Sequence, residues 1–237
     1  MGERPSPAGP VLRRMVETAA RAVWEHRRGV VELLLGVMVP LCALAILAKR
    51  VVHPQPPWWD TAVLSWIHAH ASPTLDWWMV GITRLGVWGG VVPLSVLAIV
   101  GLLVARRALA ALFVLLSMLG TWALNDAAKA FYGRGRPALW ISPAPEQWFS
   151  FPSGHAMSSM ALGTALTVLA WPTRARWPVA LVSAVLVLAV SFSRLYLGVH
   201  YPSDVLGAGL ASLAWVLGLR QLLLARGRRP DPTPRAT

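Results

Sequence analysis

A chain of 237 residues that is 56% apolar and only 14% charged has too few charges to cover a soluble surface, and its long apolar runs point to an integral membrane protein. A net charge of +12 would suggest nucleic acid in a soluble protein. Here the basic residues fall at the termini and in short connections, which membrane topology explains, so no nucleic-acid partner is expected. One cysteine, Cys42, excludes an internal disulfide framework and reads as a core or lipid-facing side chain.

In chain order, residues 1–30 form a basic arm, 31–224 a single six-span domain and 225–237 a tail. The arm, "VLRRMVETAARAVWEHRR", fits an amphipathic helix on the membrane surface or the charged flank of the first span. Apolar windows place spans at 31–48, 80–104, 108–130, 154–171, 178–194 and 201–224, an all-α integral membrane bundle. The first reads as a retained anchor, because no clear small-x-small site precedes Lys49. Between the first two spans, "HPQPPWWDTAVLSWIHAHASPTLDWW" carries tryptophans of the kind that sit at headgroup level, which predicts an outward-facing interfacial helix. Arg84 and the cluster Gly86, Gly89 and Gly90 interrupt the first half of the second span.

Six spans put both termini on one side. The arm, "ARR" at 105–107, "TRAR" at 173–176 and the tail then share that side, with fifteen basic residues against seven opposite, so it is the cytoplasmic one. Residues 49–79, the 131–153 loop and the 195–200 junction face outward, toward the periplasm or exterior if the membrane is the cytoplasmic membrane of a bacterium.

The polar residues that break the apolar pattern gather at this outer face. Lys129, Arg134 and Arg136 lie at or beyond the end of the third span, Ser153, Gly154 and His155 open the fourth, and Arg194, His200 and Asp204 bracket the junction of the last two. Ionisable groups at membrane depth cost about 2.5–3.5 kcal/mol each at a span centre, so they are functional candidates. Lys129, Arg136 and Arg194 supply three cations, two of them guanidiniums able to grip phosphate oxygens bidentately. "PSGH" puts Ser153 at a helix N-cap with Gly154 allowing close backbone approach, an anion site. His200 and Asp204 are four apart, so the carboxylate can hold one ring nitrogen and leave the other free to attack, while His155 can protonate a leaving oxygen. Together these describe phosphoryl transfer.

"KAFYGRGRP" (Lys129 to Pro137), "PSGH" (Pro152 to His155) and "SRLYLGVHYPSD" (Ser193 to Asp204) resemble the three signature motifs of the type 2 phosphatidic acid phosphatase family, which is related to bacterial acid phosphatases and vanadium haloperoxidases. All eleven specified positions match, and the resemblance covers roughly residues 58–222. It implies that His200 is the nucleophile forming a phosphohistidine, Asp204 its orienting partner and His155 the general acid. Lys129, Arg136, Arg194, Ser153 and the Gly154 backbone would hold the phosphate. It implies no metal and no other cofactor, and no Asp/Glu/His cluster with ligand spacing stands outside the site.

The remaining polar residues read as structural. His26, His53, His68 and His70 are expected at the interface, Asp126 as an ion-pair partner of Lys129, Glu146 as solvated, and Arg84 as an interfacial anchor rather than a headgroup contact. Arg134 suits phosphate and headgroups equally. The expected activity is therefore hydrolysis of a membrane lipid phosphate or pyrophosphate: undecaprenyl pyrophosphate, phosphatidate or phosphatidylglycerol phosphate. The first is slightly favoured because an outward-facing site suits a carrier lipid. The alternatives are phosphotransfer to another acceptor by the same residues, or a silent relative that binds lipid phosphates. The expected partners are the lipid phosphate substrate and membrane lipids, and no oligomeric state is assigned.

Overall fold

The computed structural model describes residues 8–51 and 57–223, and every regular element among them is helical. The first seven residues of the arm, His53 and the tail over 225–237 lie outside the described residues. Helix α1 (Ala8–Leu33) passes through a π-turn (Leu34–Met38) into α2 (Val39–Val51), so the arm is helical from Ala8 and runs on into the first apolar segment. Pro40 has no N–H for the Gly36 carbonyl and its ring crowds that group; the π-turn widens the helix just before it.

The segment expected to form one outward-facing interfacial helix forms α3 (Trp58–His68) and, after a turn, α4 (Pro73–Leu85). Ser72 caps α4 by accepting from the Leu75 N–H, and Pro73 opens it, a start signal within the predicted helix. The predicted span over 80–104 is corrected likewise: α4 ends at Leu85 and α5 (Val91–Val104) begins after the turn at 86–90. The reason is local packing. A Cβ on Gly86 would lie 2.7 Å from Val190 and 2.9 Å from the His155 ring, so the chain turns where only glycine lets it approach those two residues.

The remaining helices are α6 (Ala108–Tyr132), α7 (Gly154–Ala170), α8 (Arg176–Tyr196) and α9 (Pro202–Leu223). Among the described residues four stretches are long and apolar enough to cross a bilayer: Gly29–Val51, Ala108–Tyr132, Arg176–Tyr196 and Pro202–Leu223. Helix α7, at 17 residues, is shorter, for it sits at the centre against α5, α6, α8 and α9 and meets protein where the others meet lipid. Its small residues Ala156, Ser159, Ala161, Gly163 and Ala165 are buried and let those neighbours pack closely. Phe113, Ala161, Ala165, Val216 and Leu219 form the core where α6, α7 and α9 meet. Leu97 and Val100 on α5 and Leu181, Val182, Val185 and Leu188 on α8 stay exposed, as lipid-facing surfaces do. Glu32 at the end of α1 binds Arg220 at 2.6 Å and Gln221 at 2.8 Å, tying α1 to the end of α9 opposite the site.

Candidate active site

One end of the bundle collects the chemistry. Helix α6 delivers Lys129 in its last turn, the irregular loop 133–153 delivers Arg134, Arg136 and Glu146, and α7 opens with Gly154 and His155. Helix α8 carries Arg194 in its last turn, and the junction and first turn of α9 bring His200 and Asp204. The α8–α9 turn depends on Gly198, whose φ of +66° is left-handed and where an added Cβ would lie only 2.5 Å from the Trp140 ring.

The focus of these groups is a carboxylate. Glu146, expected to be solvated, is inside the site: its Oε2 lies 2.7 Å from Arg136 and its Oε1 bonds the Arg194 guanidinium. The rings of His155 (Nδ1, 3.8 Å) and His200 (Nε2, 4.0 Å) face the same group. Converging cations, two of them nearly buried, draw the available anion in from solvent. Arg136 is fixed by donating to the carbonyls of Trp148, Val199 and Phe149, and Arg194 donates to Thr83 Oγ1 at 2.5 Å. Both cations are thus held in place independently of Glu146. Burial would raise the Glu146 pKa, but the guanidiniums beside it, Arg194 foremost and then Arg136, outweigh it and hold the carboxyl at about 2.

His200 is buried. Its Nε2 lies 3.1 Å from an Arg136 nitrogen, and since a guanidinium only donates, Nε2 carries the lone pair and Nδ1 the proton. Burial, and then the charges of Arg194 and Arg136, hold its pKa well below the usual histidine range, so the ring is neutral. Asp204 stands 3.5 Å from Nδ1, on the side the sequence assigns to an orienting partner but beyond hydrogen-bond length.

Asp204 has stronger partners. It accepts from the Tyr201 N–H at 2.8 Å and pairs with Arg134, which also binds Asp60 at 2.8 Å and lies over the Tyr201 ring at 4.2 Å. Asp60, fully buried, accepts further from the Ser203 N–H (2.9 Å) and hydroxyl (2.5 Å). Arg134 therefore faces two aspartates instead of phosphate or headgroups. Arg194 pairs with Glu146, and no Arg194–Asp204 ion pair forms among the described residues. Asp126 is exposed, and no Asp126–Lys129 ion pair forms among the described residues.

Ser153 is the N-cap residue of α7, yet its buried hydroxyl makes no capping bond and has no hydrogen-bond partner among the described residues. Arg194 Nε and His200 Nδ1 are buried and unpartnered as well. Lys129 Nζ and Asn125 Oδ1 border Gly154: a Cβ there would lie 3.8 Å and 3.2 Å from them. Among the described residues no group of three or more His, Cys, Asp or Glu has the arrangement of a metal site. A cavity of about 500 Å³ reaches Glu146, His155 and Arg194 from outside, walled by Thr83, Arg84 and Trp88. Arg84 is thus on the approach to the site.

Asp60, Glu146 and Thr83 are the residues that sequence reasoning missed. Asp60 offered only an acidic residue in a helix first turn, and Glu146 only a charge among prolines.

The model of the PAP2 superfamily matches residues 110–228. Phosphatidylglycerophosphatase B of Bacillus subtilis is 32% identical over 66% of this chain and 76% of its own. Undecaprenyl-diphosphatase of Sulfolobus acidocaldarius is 27% identical over 74% and 81%. Among solved structures, a transmembrane PAP2 type phosphatidylglycerolphosphate phosphatase from Bacillus subtilis superposes with a TM-score of 0.73 at 26% identity, covering 82% of this chain and 98% of that one. Aquifex aeolicus LpxE shares the fold, with a TM-score of 0.58 at 22% identity over 68% and 94%. Matched by the family model over half its length and by relatives over more, and carrying several bilayer-length helices, the chain is a multi-pass membrane protein that belongs to the PAP2 superfamily.

Proposed function

We propose that this protein hydrolyses lipid phosphates or diphosphates at the outer face of a bacterial cytoplasmic membrane, without a metal, through a phosphohistidine on His200. One observation carries the reading: Arg136, Arg194, His155 and His200 all face a single anion position, now taken by a carboxylate. Similarity to a phosphatidylglycerophosphatase and an undecaprenyl-diphosphatase supports lipid phosphates and diphosphates as the substrate class.

With a substrate phosphate in that position, Arg136 and Arg194, with Lys129 nearby, neutralise its charge, and Ser153 Oγ and the free N–H groups at the start of α7 bind its oxygens. The His200 Nε2 lone pair attacks phosphorus, the bond to the lipid oxygen breaks, and His155 gives that oxygen its proton. Water then attacks phosphorus while His155 takes its proton, the bond from phosphorus to Nε2 breaks, and phosphate leaves with the His200 lone pair restored. A phosphate dianion beside His155 favours the protonated ring that the first step needs. Asp204 lies on the Nδ1 side, where it stabilises the charge that the ring acquires.

Six spans account for the helices: the first apolar segment, α5, α6, α7, α8 and α9, with α3 and α4 at the outer interface. Exposed Trp58, Trp66, Trp77 and Trp78 on α3 and α4 support that location, and the arginine-rich connections support cytoplasmic termini. The phosphatase domain is taken as 31–224, with the arm and the tail as appendages.

Phosphate release by detergent-purified protein, with EDTA present, tests the proposal on undecaprenyl pyrophosphate, phosphatidate and phosphatidylglycerol phosphate. Release that survives EDTA and is lost in His200→Ala is expected. Release retained by that variant, or abolished by EDTA, would contradict it.

A further inference from the structure

We infer that Glu146 is an internal competitor for the substrate phosphate: in the resting protein its carboxylate fills the anion position, and a phosphate enters only by displacing it. The inference deepens the reading above and rests on it. Every partner of this carboxylate is a group that reading assigns to phosphate: Arg136 at 2.7 Å, the Arg194 guanidinium, and the rings of His155 and His200 at 3.8 and 4.0 Å. The site cannot hold both anions at those positions.

The geometry also says which partner moves. Arg136 and Arg194 are 11% and 1% exposed and are held by carbonyls and Thr83. Glu146 is 29% exposed, borders the entry cavity, and among the described residues its side chain has only Arg136, Arg194, His155 and His200 as partners. Its backbone is restrained, with Pro145 before it and the Trp148 and Phe149 carbonyls bound to Arg136 shortly after. Displacement is therefore a rotation of the side chain into the cavity, with the loop itself kept in place.

Charge explains the need for such a device. Two or three clustered cations with little water are unfavourable without an anion, and an open site would also collect any phosphate in the surroundings. A tethered carboxylate supplies the anion at a high effective concentration and weakens every incoming phosphate by the same factor. Free phosphate, the product, is then excluded at ordinary concentrations. A lipid phosphate, concentrated in the membrane and anchored by its tail, still enters. The carboxyl stays ionised down to about pH 2, so competition, and not protonation, opens the site.

The test is calorimetric binding of inorganic phosphate to the full-length protein in detergent, for the wild type, Glu146→Gln and Glu146→Ala. Both variants should bind phosphate about tenfold tighter or more, the factor expected if the carboxylate is out of the site a tenth of the time or less. Both should also show a lower KM for the lipid substrate. Equal or weaker binding by variants that melt like the wild type would overturn the competitor role and leave the phosphate site standing. Binding by none of the three would overturn the phosphate site itself. Arg194→Gln added to Glu146→Gln or to Glu146→Ala should lose the binding, which ties the signal to this site.

Discussion

Two charged clusters lie side by side at the same end of the bundle and are built on opposite principles. Around Asp60, Arg134, Ser203 and Asp204, one guanidinium bridges two buried carboxylates, and both oxygens of Asp60 and of Asp204 have partners. Around Glu146, cations outnumber the anion, and buried polar atoms of Ser153, Arg194 and His200 have no partner among the described residues. A saturated network is costly to disturb and suits holding a part in place; an unsaturated, electropositive one suits exchanging a ligand. The chain keeps its scaffold and its binding site as neighbours, joined by the pair His200 and Asp204.

Substitutions can break or sharpen that contrast. In the exchanging cluster, His200→Ala should reduce turnover by about 10⁴-fold or more, with the melting temperature little changed, as expected when the nucleophile is lost. In the holding cluster the effect should fall on stability. Asp60→Ala leaves Arg134 short of a buried partner and should cost about 3–5 kcal/mol, read as a lower melting temperature in detergent. Asp60→Asn, which keeps the oxygen that accepts from Ser203, should restore part of it.

Smaller effects separate the two clusters by pH. Arg136→Gln removes a charge-assisted contact of about 2 kcal/mol and should lower kcat/KM by about 30-fold. It also removes one of the cations that depress His200, so the acid limb of kcat/KM that His200 controls should move to higher pH. Glu146 has a pKa of about 2 in the fold against an ordinary value of 4.5, so its contribution to stability is present above 4.5 and is lost as pH falls toward 2. Melting curves at pH 6 and pH 3 should therefore differ more for the wild type than for Glu146→Gln.

The exchanging cluster was largely legible in the sequence and the holding cluster was not. Lys129, His155, Arg194 and His200 stand out because each interrupts or ends an apolar run, where a charge is unfavourable without a purpose. Asp60 gives no such signal. It lies among tryptophans, and its partners Arg134 and Ser203 are 74 and 143 residues away. Glu146 is also defined by distant partners, Arg194 being 48 residues on. The helix boundaries follow the same logic. A hydropathy window runs across Gly86, Gly89 and Gly90 because it averages composition, whereas the chain turns there because Gly86 must touch His155 and Val190. Helix α7 is short because protein surrounds it, which apolar periodicity cannot distinguish from lipid.

The central claim is that His200 takes the phosphoryl group onto its own ring. The most direct measurement is rapid mixing with a substrate lipid labelled in its terminal phosphate, an alkaline quench, and counting of label on the protein. The account predicts a base-stable, acid-labile phosphoenzyme on the peptide containing His200, formed within one turnover by the wild type and absent from His200→Ala. Label retained by that variant, or full turnover with no labelled protein at any time, would contradict it.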